Sequence, residues 1–132
     1  MKGLKARLGM VGLGVAALTA LAGAAQAAGT AGDPVKGKTV FARCAACHDL
    51  NTGAVRMGPS LKGIIGRKAG SVANFGYSAG MKGKGVVWKE DTLDAFLTSP
   101  MKYVPGTRMA FPGIANAKDR ADVIAYLKQA AR

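Results

Sequence analysis

The chain has 132 residues, 49% hydrophobic and 20% charged, a length for one domain and a composition that excludes disorder and collagen-like repeats. Nineteen Lys and Arg against seven Asp and Glu leave a net charge of +12. Such an excess implies an acidic partner, whether nucleic acid, an anionic membrane or a negatively charged protein face, and composition does not choose among them.

At the N-terminus, Lys2, Lys5 and Arg7 precede an uncharged stretch rich in Leu, Val, Ala and Gly that closes on Ala25-Gln26-Ala27. A basic region, an apolar region and a small-x-small site, in that order, form a secretory signal peptide, so residues 1–27 are expected to be removed after Ala27, with Ala28 the alternative. The rival is a retained membrane anchor, because no charge occurs from Leu8 to Gly32 and about 18 apolar residues can span a bilayer. Gly3, Gly9, Gly12, Gly14 and Gly23 make the stretch weakly hydrophobic for that role. Residues 28–132 then form the functional domain, in the periplasm or tethered beside the membrane if the segment is kept. Its sixteen basic and seven acidic residues leave +9.

Asp33 and Pro34 are a cap and first-turn pair, and Gly37, Val40, Phe41 and Cys44 fall on one face of the helix they open. That helix runs into Cys44-Ala45-Ala46-Cys47-His48, which holds both cysteines and the only histidine of the chain. Chance would place them so roughly once in ten thousand sequences, so the arrangement has a cause. C-x-x-C-H attaches c-type haem: two thiols spaced by three on a helical turn reach the two porphyrin vinyl groups, and the next residue offers imidazole to the iron. A disulfide closing so short a loop removes little unfolded-state entropy. Thioredoxin-like chemistry expects a βαβ setting that is missing, and zinc would need two further Cys or His ligands that the chain lacks.

Residues 49–87 are glycine-rich with few periodic apolar positions, and read as loops wrapped around a cofactor. Leu93, Phe96 and Leu97 mark a short helix from about Glu90 to Ser99, stopped by Pro100. In the loop that follows, Pro105 and Pro112 stiffen the chain and Gly106 allows a tight turn around Met109. With one histidine, the sixth iron ligand is a methionine, a weaker group or nothing. Met109 is the candidate, while Met57, Met81 and Met101 read as filler. A last helix starts near Asn116, carries Asp119 in its first turn and aligns Val123, Tyr126, Leu127 and Ala130 as a buried stripe. The fold class is all-α, with no internal repeat and no second domain.

Beyond Cys44 to His48, the series Met57-Gly58-Pro59-Ser60-Leu61, Gly66-Arg67-Lys68-Ala69-Gly70, Phe75-Gly76-Tyr77-Ser78, Gly85-Val86-Val87-Trp88, Pro105-Gly106-Thr107-Arg108-Met109 and Ile124-Ala125-Tyr126-Leu127 resembles the small soluble class I cytochromes c, of mitochondrial and bacterial respiratory or photosynthetic type. The resemblance covers nearly all of residues 33–132. It implies terminal helices packed together, with short helices and long loops around one haem c bound through Cys44 and Cys47. It further implies His48 as proximal ligand, the Pro59 carbonyl as partner of its other ring nitrogen, and Met109 as distal ligand. Arg67, Tyr77 and Trp88 match positions around the haem propionates, where their N–H and O–H groups offset the cost of burying carboxylates. Thr107 matches the position beside the methionine loop's ligand.

Two residues depart from the pattern. Phe96 stands where many relatives have a tyrosine whose hydroxyl reaches the methionine sulfur, and Met81 where many have an asparagine. Both changes make the cavity drier and leave the Met109 sulfur fewer polar partners.

The function implied is one-electron transport by a monomer, not catalysis, because an iron held on both faces has no open position for substrate. Arg43, Arg56, Lys102 and Arg108 are the cations expected nearest the haem edge. They would meet the acidic face of a redox protein: a quinol-oxidising complex, a terminal oxidase, a reaction centre or a dehydrogenase. A peroxide-using enzyme or gas sensor would lack the methionine loop, which is present. Nucleic-acid binding has only the charge in its favour, without a recognised motif.

Overall fold

The computed structural model describes residues 31–132, together with Gly9 and Gly12, so the expected signal segment otherwise lies outside the described residues. Five helices follow in order: α1 Pro34–Ala45, α2 Ala79–Lys82, α3 Glu90–Thr98, α4 Pro100–Tyr103 and α5 Ala117–Ala130. Among the described residues there is no strand, only an isolated antiparallel bridge between Lys68 and Val87. No described helix is long and apolar enough to cross a membrane.

The helix starts are built from local chemistry. Asp33 is extended, and its carboxylate accepts the Val35 and Lys36 N–H groups at 2.9 and 3.3 Å while Pro34 takes the first helical position. Asn116 caps α5 in the same way through Lys118 and Asp119. Before α3, the Lys89 N–H donates to Thr92 Oγ1 at 2.8 Å, and Glu90 and Asp91 lie in the positive first turn.

α3 ends at Thr98, before Pro100, as expected; Pro100 then opens a further short helix, α4, as its first residue, where a missing N–H costs nothing. Two expectations are corrected. Within 49–87, α2 forms because the Ser78 hydroxyl accepts the Met81 N–H at 3.2 Å. The buried stripe of α5 also differs, since Val123 and Leu127 are buried but Tyr126 and Ala130 only half so, while Asp122 and Ile124 are buried. α5 packs against α1 on one side and α3 on the other, which widens its buried arc.

α1 and α5 cross at close range. A Cβ on Gly37 would overlap the Asp122 carbonyl oxygen and come within 2.8 Å of Tyr126 Cβ, so only glycine lets the two backbones meet. Beside this contact, Phe41 and Tyr126 pack with ring centroids 5.5 Å apart. Asp122 is only 2% exposed. It accepts the Asp33 N–H at 2.7 Å and pairs with Lys118, so a carboxylate on the last helix holds the cap of the first.

Gly37→Ala is expected to cost about 3 kcal/mol, the upper end of overpacking penalties, because a backbone cannot yield as a side chain does; denaturant unfolding of the haem-loaded protein measures it. Asp122 makes a second test. The Asp33 N–H, then the Lys118 ammonium, hold its carboxyl below the usual carboxylate range against the opposing effect of burial. A depressed folded pKa gives stability that is present above the unfolded carboxylate value and is lost as pH falls through the folded one. Asp122→Asn is therefore expected to lower the midpoint of unfolding at pH 7 and to flatten its decline into acid, the two proteins converging at the lowest pH.

Candidate functional site

After α1 the chain turns back on itself, the Cys47 and His48 N–H groups both donating to the Cys44 carbonyl at 3.0 Å. This tight turn brings both thiols and the imidazole to one wall of a cavity of about 370 Å³. Neither thiol is paired with the other. Burial raises the Cys44 thiol pKa, with the Arg43 charge opposing.

His48 is fixed by two contacts. Its Nδ1 lies 2.7 Å from the Pro59 carbonyl oxygen. A carbonyl only accepts, so Nδ1 carries the proton and Nε2 keeps the lone pair. Burial, and to a lesser degree the Arg67 charge, lowers the ring's pKa against the Pro59 hydrogen bond, which favours the neutral imidazole. Gly58 lies against the ring face, where a Cβ would stand 2.5 Å from Cε1 and 2.8 Å from Nδ1. Sequence reasoning missed this role, although Gly58 immediately precedes Pro59 in the Met57-Gly58-Pro59 segment.

The other expected residues line the same cavity: Met109, Thr107, Pro59, Arg67, Tyr77 and Trp88. The Thr107 hydroxyl accepts the Met109 N–H at 3.2 Å, and the Thr107 N–H donates to Val104, which is wholly buried. Arg67 is held by the Lys62 and Ser60 carbonyls at 3.0 and 2.8 Å. Tyr77 accepts the Val72 N–H at 3.2 Å through its hydroxyl and meets Phe75 edge-on, centroids 4.9 Å apart. Trp88 is buried and packs on Phe96 at 5.1 Å, and Phe96 in turn meets Tyr103 at 6.0 Å. Phe96 thus belongs to an aromatic cluster as well as to the cavity wall. Met81 lines the cavity too. The bridge beside Lys68 supports the Arg67–Trp88 pair, the Trp88 N–H donating to the Arg67 carbonyl at 2.9 Å.

These residues fit haem c. The wall is mostly apolar, as a porphyrin face requires, and the polar groups of Arg67, Tyr77 and Trp88 are available to two propionates. Its three charged residues are Arg43, Arg67 and Arg108, and no carboxylate lines it. His48 presents a free Nε2 and Met109 a thioether within the same space. Among the described residues no group of three or more His, Cys, Asp or Glu could hold a bare metal ion.

Comparison with known proteins agrees with this geometry. Residues 34–131 match the family model of cytochrome c. The chain is 50% identical over 99 residues to cytochrome c 2.1 of Caenorhabditis elegans, covering 74% of this chain and 89% of that protein. It is 49% identical over 100 residues to cytochrome c2 of Rhodoblastus acidophilus, covering 75% and 94%. Among solved structures, cytochrome cH from Methylobacterium extorquens matches with a TM-score of 0.69 at 43% identity, over 74% of this chain and 98% of that one. The chain therefore belongs to the cytochrome c family of electron carriers, which bind haem c covalently through two cysteines, here Cys44 and Cys47.

Proposed function

We propose that residues 28–132 act in the periplasm as a monomeric one-electron carrier, not an enzyme, with His48 and Met109 as axial ligands. Export rests on the basic, apolar and small-x-small order of residues 1–27. The observation that carries the ligand assignment is the 2.7 Å bond from His48 Nδ1 to Pro59, which leaves Nε2 as the only free histidine nitrogen in a cavity that also receives Met109.

Bound haem supplies a ferric/ferrous couple. The residues set its surroundings. His48 is held in one tautomer and one orientation, so its lone pair does not need to reorient on electron transfer. The loop from Val104 to Met109 is closed by the Thr107 bonds, and the buried ring of Phe96 and the side chains of Leu93 and Leu97 exclude water from the cavity wall. An apolar surround and a thioether ligand both favour the reduced state, whose haem carries one positive charge fewer.

Arg43, Arg56, Lys102 and Arg108 are all exposed, and the three charged residues lining the cavity, Arg43, Arg67 and Arg108, share that lining with no carboxylate. This supports docking on an acidic face of a redox protein, with long-range attraction speeding encounter and a small contact allowing release.

Met109→Ala is expected to abolish the weak near-infrared sulfur-to-iron band of the ferric protein and to lower the potential by on the order of 0.2 V, within the roughly 0.8 V over which axial ligands move haem potentials. Leu in place of Met57, Met81 or Met101 keeps the band. A band and potential untouched by Met109→Ala would refute the assignment. Electron-transfer rates with an acidic redox protein are expected to fall several-fold between about 0.01 and 0.2 M salt, as the Debye length shrinks from ~30 Å to under ~10 Å; a rate indifferent to salt in stopped-flow measurements would mean apolar docking instead.

A further inference from the structure

Met57 and Met101, which the sequence places among filler methionines, stand on the surface at 82% and 60% exposure, while Met81 and Met109 are half-buried. A thioether is soft and polarisable, and an exposed one is open to oxidants that transfer oxygen. The local fold holds both sulfurs outward. The Arg56 N–H donates to the Gly58 carbonyl at 3.0 Å, the Arg56 guanidinium to the Ala45 carbonyl at 3.0 Å, and the Gly58 N–H to the Cys47 carbonyl at 2.9 Å. Met57 is thus fixed between two anchored neighbours, at the rim of the cavity that it helps to line. In α4 the buried Pro100 and half-buried Tyr103 face the protein, which leaves Met101 and Lys102 on the outside. An exposed cation adjoins each sulfur, Arg56 beside Met57 and Lys102 beside Met101, so the basic surface also draws anionic oxidants to these two points. With Cys44 and Cys47 bound to haem the chain keeps no thiol, and methionine sulfur becomes its readiest site of oxidation.

We propose that Met57 and Met101 are sacrificial oxidation sites, which take oxygen from hypochlorite before Met109 does. In the net step the O–Cl bond breaks and an S–O bond forms. Sulfur gives up two electrons, the thioether becomes a sulfoxide, and chloride leaves. Met109 reacts last because one lone pair is engaged by iron and its loop half-buries it, a step that rests on Met109 as the axial ligand. The difference in consequence is large. A sulfoxide at Met109 deprives the iron of its thioether inside an apolar cavity, whereas a sulfoxide at Met57 or Met101 projects its polar oxygen into water. Both outer sulfoxides also stand open to sulfoxide reductases, which restore the thioether.

Each of the four methionines falls on its own tryptic peptide, 57–62, 69–82, 90–102 and 109–118, so their oxidation is counted separately. The ferric haem-loaded protein is titrated with hypochlorite and read by peptide mass and by the near-infrared sulfur-to-iron band, each variant against its own band before oxidant. Up to about two equivalents, peptides 57–62 and 90–102 are expected to gain one oxygen each while 109–118 stays unmodified and the band keeps its height. The double variant Met57→Leu, Met101→Leu is expected to lose half its band at about half the dose that the wild type needs, with Met101→Leu alone, distant from the cavity wall, in between. If 109–118 gains oxygen as early as 57–62 and 90–102, or if the double variant loses its band at the wild-type dose, the protective role is overturned. If 109–118 gains oxygen while the band persists, Met109 is not the iron ligand: that result overturns the ligand assignment and the protection with it, and is told apart from the first by the band.

Discussion

Everything in the fold hangs on the close crossing of the first and last helices. α1 alone is twelve residues long, too short to hold its shape in water without a partner. The partner is α5, and the two reach backbone contact because Gly37 offers no side chain to the Asp122 carbonyl. Once they meet, Phe41 and Tyr126 pack beside the crossing, and the Asp33 cap is fixed from above by a buried carboxylate. The far end of α1 then stops at a defined place, which is where Cys44, Cys47 and His48 must stand. The C-terminus closes the same construction from behind, the Gly63 N–H donating to the Ala131 carbonyl at 2.6 Å and holding the loop that carries Pro59. The orientation of one imidazole is thus a remote product of a glycine eleven residues before it.

The charge distribution follows a division of labour. Of the seven acidic residues, Asp33 caps α1, Asp122 ties the terminal helices, Asp49 accepts the Thr52 and Gly53 N–H groups, Asp94 pairs with Arg120, Glu90 with Lys128, and Asp91 accepts the Thr92 N–H. Nearly every carboxylate serves the scaffold, and none lines the cavity. The cations are deployed differently. Arg67 turns inward to two carbonyls, Arg120 is half-buried against Asp94, Lys84 and Arg108 bond carbonyls of facing loops, and Arg43, Arg56 and Lys102 are exposed. A basic face around the cavity therefore arises less from extra cations there than from the absence of acids.

What the sequence displayed was what local chemistry encodes. Asp33-Pro34 and Asn116 announce helix starts through bonds spanning two or three residues, and Cys44 to His48 fit within little more than one helical turn, so a linear reading finds them. The cavity-lining roles of Arg67, Tyr77, Trp88 and Thr107 came through resemblance to a family, since nothing in their immediate neighbours predicts a shared cavity. The unread features are all long-range. Asp122 looks like an ordinary solvated residue of a helix until Asp33, 89 positions earlier, is seen to donate to it. Gly58 becomes informative only against the ring of His48, and Arg108 reads as one more surface charge until Gly76 is found beneath it. α4 went unread because a proline that ends one helix can also begin the next, and here only Ser99 separates the two.

The dependence of α1 on α5 also sets an order of events during synthesis. The residues that bury Phe41 and cover Gly37 lie between Asp122 and Tyr126, so a growing chain that has passed the haem-binding motif still lacks more than half of the protein needed to pack it. Through that interval neither thiol is shielded by the packing of the two helices. Were porphyrin joined to Cys44 and Cys47 before the last helix closes on the first, the thiols would be met on an open segment, and the closing would seal what had been attached.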